Sequence, residues 1–374
     1  MKNLIFVIIC YFLSSCSSFD NYFNGDIKIY ESFLIEDELS TKDTLPLPES
    51  LIGIAYISLI DTMLIIVKYK QETYLSICNL NNFQISEKIC LKGRGPNEYL
   101  SFQTFEQYNK DSKKICLYTY DSNLSAKLLN VTASWQQNAT VIEETMDLKR
   151  IDNSVFCQGI FFLNSDNLFV KYKTSYRDLR DFIFYPAEYA LFNAREEKQI
   201  IDFFGKKIAS NANMPILPDH LYSGITRIKP DGNNAVDGIG NMDYINFIDL
   251  RNKYAFGLKY KNSLSYEEIK NISIEEMMKR QKSAYNDIYV TNDYVFGLYL
   301  GNNPFTDAAD MLNNICVRIF DWKGTPLASL KFDRDISSIA FDERKNLLYA
   351  LDRTEEKIFI YDLSKFIEKI RHAV

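Results

Sequence analysis

The chain has 374 residues, a formal charge of −6 at pH 7 and no cluster of Lys and Arg, which argues against a nucleic-acid partner. Only 14 Gly and 9 Pro exclude a low-complexity or disordered chain. With 25 Tyr and 26 Phe beside many Ile and Val, the composition suits pleated, half-buried strands.

Residues 1–15 read as a lipoprotein signal peptide. Lys2 supplies the positive end, and Leu4 to Leu13 form an apolar run that is too short to span a bilayer but fits a secretory core. Leu13-Ser14-Ser15-Cys16 follows and resembles a bacterial lipobox, which implies cleavage before Cys16 and lipidation of that cysteine. The alternative is an ordinary signal peptide with an incidental cysteine. Residues 16–24 then form a tether, and acyl burial at about 0.8 kcal/mol per methylene supplies the membrane anchor. Loss of Lys2 takes the charge from −6 to −7. Ser17 is not the aspartate that marks inner-membrane retention, so the expected address is the cell envelope at the outer membrane. Periplasmic and surface orientations both stay open.

Beyond residue 25, strand-like runs recur at 62–69, 113–121, 166–173, 293–300 and 346–352, each bounded by Asp, Asn or Lys. The anchors Leu64, Ile115, Leu168, Val295 and Leu347 are spaced by 51, 53, 127 and 52 residues. The long gap predicts one hidden repeat plus an insertion. The hidden repeat is read at 225–239, as two strands around a Pro-Asp-Gly turn, followed by a hairpin around Arg251-Asn252. The insertion is a helix over 273–284, with Ser273 as N-cap and Glu276 at the capping-box position. Six repeats of this length predict an all-β, six-bladed β-propeller with a short helical insertion between blades 4 and 5. Residues 25–374 then form a single domain. The last repeat, 336–363, shows only three strands before a short helix or tail, so the orphan strand at 25–35 is assigned to close the ring.

"YVFGLYLGN" and "VRIFDWKGTPLASLKFDRDISSIAFDERKNLLYAL" resemble the C-terminal half of the TolB-like six-bladed propeller lipoproteins of gut Bacteroidota. "GRGPNEY" at 93–99 resembles the Gly-x-Gly-Pro-x-Glu-Tyr/Phe turn that those proteins carry near their first blade. The resemblance is strongest over 285–362 and weakest in blade 4. It implies the fold and the leader peptide; it brings little about activity.

Gly93-Arg94-Gly95 does not read as a phosphate loop, because Pro96 follows and the next glycine is Gly159. It reads as the passage between blades, with Gly93 and Gly95 permitting positive φ and Pro96 fixing its own. Arg94 and Glu98 bond across that turn or face the channel, which makes them candidate binding residues. Trp135, read in a polar loop, "TASWQQNAT", is a candidate contact for a sugar ring or peptide, whereas Trp322 is read as a turn residue packing on the next blade. Asp231, Asp237 and Asp243 with nearby asparagines are weak candidates for calcium, in a stretch lacking the EF-hand pattern.

The two histidines, His220 and His372, have no partner spacing, and neither Gly-x-Ser-x-Gly nor His-Glu-x-x-His occurs. Beyond Cys10 and Cys16 there are five scattered cysteines, read as buried thiols, with a Cys78–Cys90 bridge left open. No catalytic residue and no cofactor is assigned. The expected function is noncatalytic binding of a protein or glycan ligand from a lipid anchor, as a scaffold or as an accessory subunit in nutrient uptake. The alternative is a calcium-dependent, lactonase-like or lyase-like enzyme. Acidic and amide side chains converging in the channel would favour the enzyme; an apolar or aromatic face would favour the binder.

Overall fold

The computed structural model describes residues 26–48, 52–69, 71–121, 125–148, 155–174, 188–193, 198–200, 223–265, 268, 271–303, 314–352 and 354–373. Three strands, β1 (Asp26–Tyr30), β2 (Ile35–Glu38) and β3 (Asp43–Thr44), precede the first blade. Blade 1 is β4 (Ile54–Ile60), β5 (Met63–Lys68), β6 (Thr73–Asn79) and β7 (Gln84–Leu91). Blade 2 is β8 (Tyr108–Lys110), β9 (Ile115–Asp121), β10 (Ser125–Asn130) and β11 (Ile142–Asp147), with helix α1 (Val131–Gln137) between its last two strands. Blade 3 is β12 (Val155–Phe162), β13 (Leu168–Thr174), β14 (Glu188–Phe192) and β15 (Lys198–Ile200). Blade 4 is β16 (Gly224–Ile228), β17 (Asn234–Ile239), β18 (Tyr244–Asp249) and β19 (Tyr254–Tyr260). Helix α2 (Ile274–Arg280) then leads to blade 5, made of β20 (Tyr285–Val290), β21 (Tyr294–Tyr299), β22 (Cys316–Asp321) and β23 (Pro326–Lys331). Blade 6 is β24 (Ile336–Asp342), β25 (Leu347–Asp352) and β26 (Lys357–Asp362), followed by α3 (Ser364–Ala373).

The protein is therefore a six-bladed β-propeller, and the 51–53-residue spacing marked its blades. The insertion is the expected helix, with Ser273 Oγ accepting from Glu276 N at 3.1 Å. Both faces of a blade are apolar, so the core is a series of layers between neighbouring blades. Ile65 and Val67 of blade 1 meet Leu117 and Leu129 of blade 2, whereas Leu64 and Ile66, on the opposite face of β5, pack with Tyr349 and Leu351 of blade 6. Alternation along one strand thus feeds two layers, which is why β5 is buried at every position. The five cysteines are free thiols, four of them buried, and Cys78 and Cys90 form no bridge. Burial pushes the Cys78 thiol up to about 11.

Ring closure differs from the sequence reading in one respect. The segment 25–35 does not complete the last blade. β1 runs parallel to β19 as a fifth strand of blade 4, and β2 runs parallel to β23 as a fifth strand of blade 5. Only β3 reaches β26, pairing antiparallel with it and supplying the fourth strand of blade 6. The reason lies in the seam between blades 4 and 5. There Arg318 is buried, its Nη1 donating to Asp243 Oδ1 at 2.6 Å and to the Tyr30 hydroxyl at 3.1 Å. Its guanidinium carbon lies 3.3 Å from the Tyr299 ring centroid. Tyr30 packs against Phe33, Tyr260 and Phe320, so the first strand is held where its tyrosine completes an aromatic socket. Counting strands in the last blade could not reveal that socket.

The stretch 93–99 is the passage from β7 to the inner edge of blade 2, as expected, but its glycines serve another purpose. Neither Gly93 nor Gly95 is among the positive-φ glycines. A Cβ on Gly93 would overlap the Glu98 carboxylate, which folds back to accept from Gly95 N at 2.8 Å. The glycines make room for that carboxylate. The turn is then pinned to blade 2 by Lys127 Nζ, which donates to Glu98 O, and by Tyr99 Oη, which bonds Thr119 Oγ1 at 2.7 Å. Arg94 is exposed and takes no part. Glu98→Ala, which leaves Gly95 N without its acceptor, is expected to lower stability by about 1–3 kcal/mol, and Arg94→Ala to stay within about 0.5 kcal/mol. Urea unfolding of the two variants side by side checks both.

Candidate functional site

Arg227 of β16 reaches into the axial channel and ties together the inner edges of the ring. Its Nη2 bonds Glu106 Oε1 of blade 2 and lies 3.5 Å from Asp287 Oδ1 of blade 5. Asp287 Oδ2 accepts from Ser338 Oγ at 2.7 Å and Ile339 N at 3.0 Å, both in blade 6. Glu106 Oε2 accepts from Ser58 Oγ of blade 1 at 3.2 Å. Five blades thus meet at one guanidinium. The side chains of Arg227, Glu106 and Asp287 are only 10%, 7% and 8% exposed, so water screens them little.

Local backbone irregularity puts these groups in place. Between the Gln103–Tyr120 bridge and β8, blade 2 leaves its ladder, and Glu106 adopts φ 62°. That left-handed conformation costs roughly 1–2 kcal/mol for an L-residue and is held by Thr104 Oγ1, which accepts from Glu106 N at 3.1 Å. Four other inner strands carry a one-residue bulge, at Ala55, Gln158, Asn286 and Ser337. All four bulged residues line one cavity, as expected where a bulge re-aims a side chain.

That cavity, about 580 Å³, opens on one side of the Arg227 cluster. Its wall carries the amides of Gln103, Gln158 and Asn286, the Thr104 hydroxyl and the rings of Tyr56 and Tyr69, whose centroids are 6.4 Å apart. A smaller cavity of about 130 Å³ lies on the other side, bordered by Glu106, Lys229 and Tyr289. Arg227 borders both and so forms a septum between them; Asp287 borders only the wide cavity and Glu106 only the narrow one.

Two carboxylates face one guanidinium here. Burial pushes Glu106 up to about 7 against the pull of Arg227, with Asp287 adding to the rise. Burial also raises Asp287, although Arg227, Ser338 and two backbone N–H groups favour its charged form. For Arg227, burial works against the charge but is outweighed by Glu106 and Asp287, and its pKa rises. The arrangement shifts Glu106, the acid with fewer donors, toward its protonated form.

The residues singled out from the sequence lie elsewhere. Glu98 and Arg94 sit in the blade 1–2 passage and do not line either cavity. Trp135 belongs to helix α1 rather than a polar loop; it is half-buried and its Nε1 donates to Gln84 O of blade 1 at 3.1 Å. Trp322 is in a turn, packed on Phe247 of the preceding blade rather than the next one. Asp231, Asp237 and Asp243 do not converge, because each is paired with its own cation: Lys229 at 3.2 Å, Lys171 at 2.6 Å and Arg318 at 2.6 Å. Cys16 and His220 lie outside the described residues.

The septum carried a signal that went unused. Ser58, Glu106, Arg227, Asp287 and Ser338 follow one another at 48, 121, 60 and 51 residues, close to one, two, one and one repeats with the insertion counted in. A search for polar residues inside apolar strands at the blade period would have gathered all of them but Glu106, which lies outside any strand.

No family model matches the chain, and no curated protein does. Among solved structures, it is similar to the β-propeller domain of Cps50 (Swd1) from Myceliophteria thermophila, at 11% identity and TM-score 0.48, covering 87% of this chain and 100% of that one. A structural genomics protein of unknown function from Bacteroides thetaiotaomicron matches at 10% identity and TM-score 0.44, covering 88% and 75%. A luciferin-regenerating enzyme matches at 9% identity and TM-score 0.42, covering 83% and 91%. At these values the likenesses carry no argument about function.

Because the fold raises Glu106 from 4.5 to about 7, the folded state binds more protons than the unfolded chain across that range. Stability is then expected to fall as pH rises from about 4.5 to about 7 and to level off above it, by up to about 3 kcal/mol. Glu106→Gln should flatten that slope, which urea midpoints at about pH 5 and about pH 8 would read.

Proposed function

We propose that this chain is a lipid-anchored envelope protein whose propeller binds a short glycan in the wide cavity, without catalysing a reaction on it. The carrying observation is the cavity wall. Amides and hydroxyls from four inner strands converge on about 580 Å³, with two tyrosine rings on one side, an arrangement suited to hydroxyl-rich, stackable sugar rings. Above the septum the wall offers hydrogen bonds in several directions. The apolar run from Leu4 to Leu13 and the Leu13-Ser14-Ser15-Cys16 stretch after it support an envelope address at the outer membrane.

The enzyme reading draws on the septum and the wide cavity beside it, where acids and amides converge in the channel and burial raises the Glu106 carboxyl. Against it, both carboxylates are engaged by Arg227 and by hydroxyl or backbone donors. Among the described residues, no three His, Cys, Asp or Glu side chains come together to hold a metal ion.

Two measurements test the proposal. Isothermal titration of the detergent-solubilised protein with short oligosaccharides should show binding, weakened roughly tenfold or more by Asn286→Ala; peptide binding with no response to any sugar would overturn the glycan assignment. Cys16→Ala should move the mature protein from the membrane fraction to the soluble one, because among the described residues no helix is long and apolar enough to cross a membrane in place of the acyl groups.

A further inference from the structure

The wide cavity has a charge imbalance that the glycan reading leaves unused. Asp287 and Glu356 line it, and Glu106 sits immediately behind Arg227. Among the described residues, Arg227 is the one cation lining the cavity, and it is already ion-paired to Glu106 and Asp287. Among the described residues that line it, acids outnumber bases whether Glu106 is charged or protonated. A concave, poorly screened site concentrates that negative potential toward its floor.

Hydrogen-bonding capacity points the same way. Glu356 gives only Oε1 to Gly53 N, at 3.0 Å, which leaves its second oxygen as an acceptor. Gln158 Oε1 is buried without a partner in the same wall. Tyr56 and Tyr69 add ring faces that attract a cation. One donor is also unpartnered: Arg227 Nε, on a residue 8% exposed at the cavity floor. The unfilled set is therefore two acceptors, the second Glu356 oxygen and Gln158 Oε1, beside a single donor, Arg227 Nε.

Resting on the glycan reading, we propose that the ligand is an amino sugar, whose free ammonium is held by the acidic side of the cavity while an adjacent hydroxyl faces Arg227. An ammonium brings three donors and a positive charge to acceptors that a neutral hydroxyl satisfies less well. An N-acetyl group removes the charge, and a uronic acid places like charges together.

The test is calorimetric titration of the full protein in detergent with glucosamine trimer, its fully N-acetylated counterpart, maltotriose and trilysine. Glucosamine trimer should bind at least about tenfold more tightly than the acetylated trimer or maltotriose. That preference should shrink to about twofold in Glu356→Gln, a rim variant that keeps its bond to Gly53, and should weaken with added salt. Equal affinity for glucosamine trimer and the neutral sugars would overturn the ammonium inference while leaving glycan binding intact. No binding by any of the sugars would overturn both. Tight trilysine binding that matches the glucosamine trimer would overturn the sugar assignment and move the ammonium to a peptide. An undiminished preference in Glu356→Gln, with wild-type unfolding behaviour, would also overturn the site.

Discussion

A single buried guanidinium holds the axis of this ring. Arg227 draws Glu106 from blade 2 and Asp287 from blade 5, and through their second oxygens those acids reach Ser58 in blade 1 and Ser338 in blade 6. Burying one cation and two anions is costly on desolvation, and such groups tend to persist where they fix geometry rather than where they add net stability. Here the geometry fixed is the relative position of inner strands that share no ladder with one another. Neighbouring inner strands are also tied directly, as by Ile57 N donating to Ser338 Oγ at 3.1 Å and Asn286 Nδ2 donating to Ser337 O at 2.9 Å, but the guanidinium reaches across the channel.

The seams between blades repeat the theme in weaker form. Lys171 and Asp237 pair at 2.6 Å with both side chains at 0% exposure, joining blade 3 to blade 4, and Tyr189 Oη donates to the second Asp237 oxygen at 2.6 Å. Arg318 and Asp243 do the same between blades 4 and 5, inside a shell of aromatic rings. Each pair is met by further donors or rings, which is what lets a buried charge be tolerated. Lys68 is the contrast: its Nζ is buried without a hydrogen-bond partner, and burial lowers its pKa. Blade 1 and blade 6 meet through an apolar layer, edged by an Arg344–Asp61 ion pair at 2.9 Å and by Ile57 N donating to Ser338 Oγ at 3.1 Å.

Much of the fold could be read along the chain because propeller blades are local. The spacing of Leu64, Ile115 and Leu168, the turn at 230–232, the capped helix after Ser273 and the hairpin around Arg251 all depend on residues within one repeat. The candidate site could not be read that way. Glu106 and Arg227 are 121 residues apart, and a charged residue in or beside a strand looks the same along the chain whether it faces solvent or an axial partner. Asp237 and Asp243 suggested a metal because their neighbourhood is rich in Asp and Asn, but the cations that neutralise them come from strands β13 and β22. Glycine at 93 and 95 was legible as a turn, whereas its cause, room for a carboxylate three residues on, required the folded loop.

The path of the first three strands gives the ring a mechanical asymmetry. β1 adds five register pairs to blade 4 and β2 four to blade 5, with the Tyr30 socket near the passage between them, before β3 closes blade 6 with two. Tension applied at the N-terminal side of Asp26 is therefore met in series, first by the longest pairing, then by an aromatic clasp, then by a second pairing. The short strand that closes the ring comes last in that line. A propeller held by its N-terminal end can lose the outer layer of one blade, and then of a second, while its six blades stay joined.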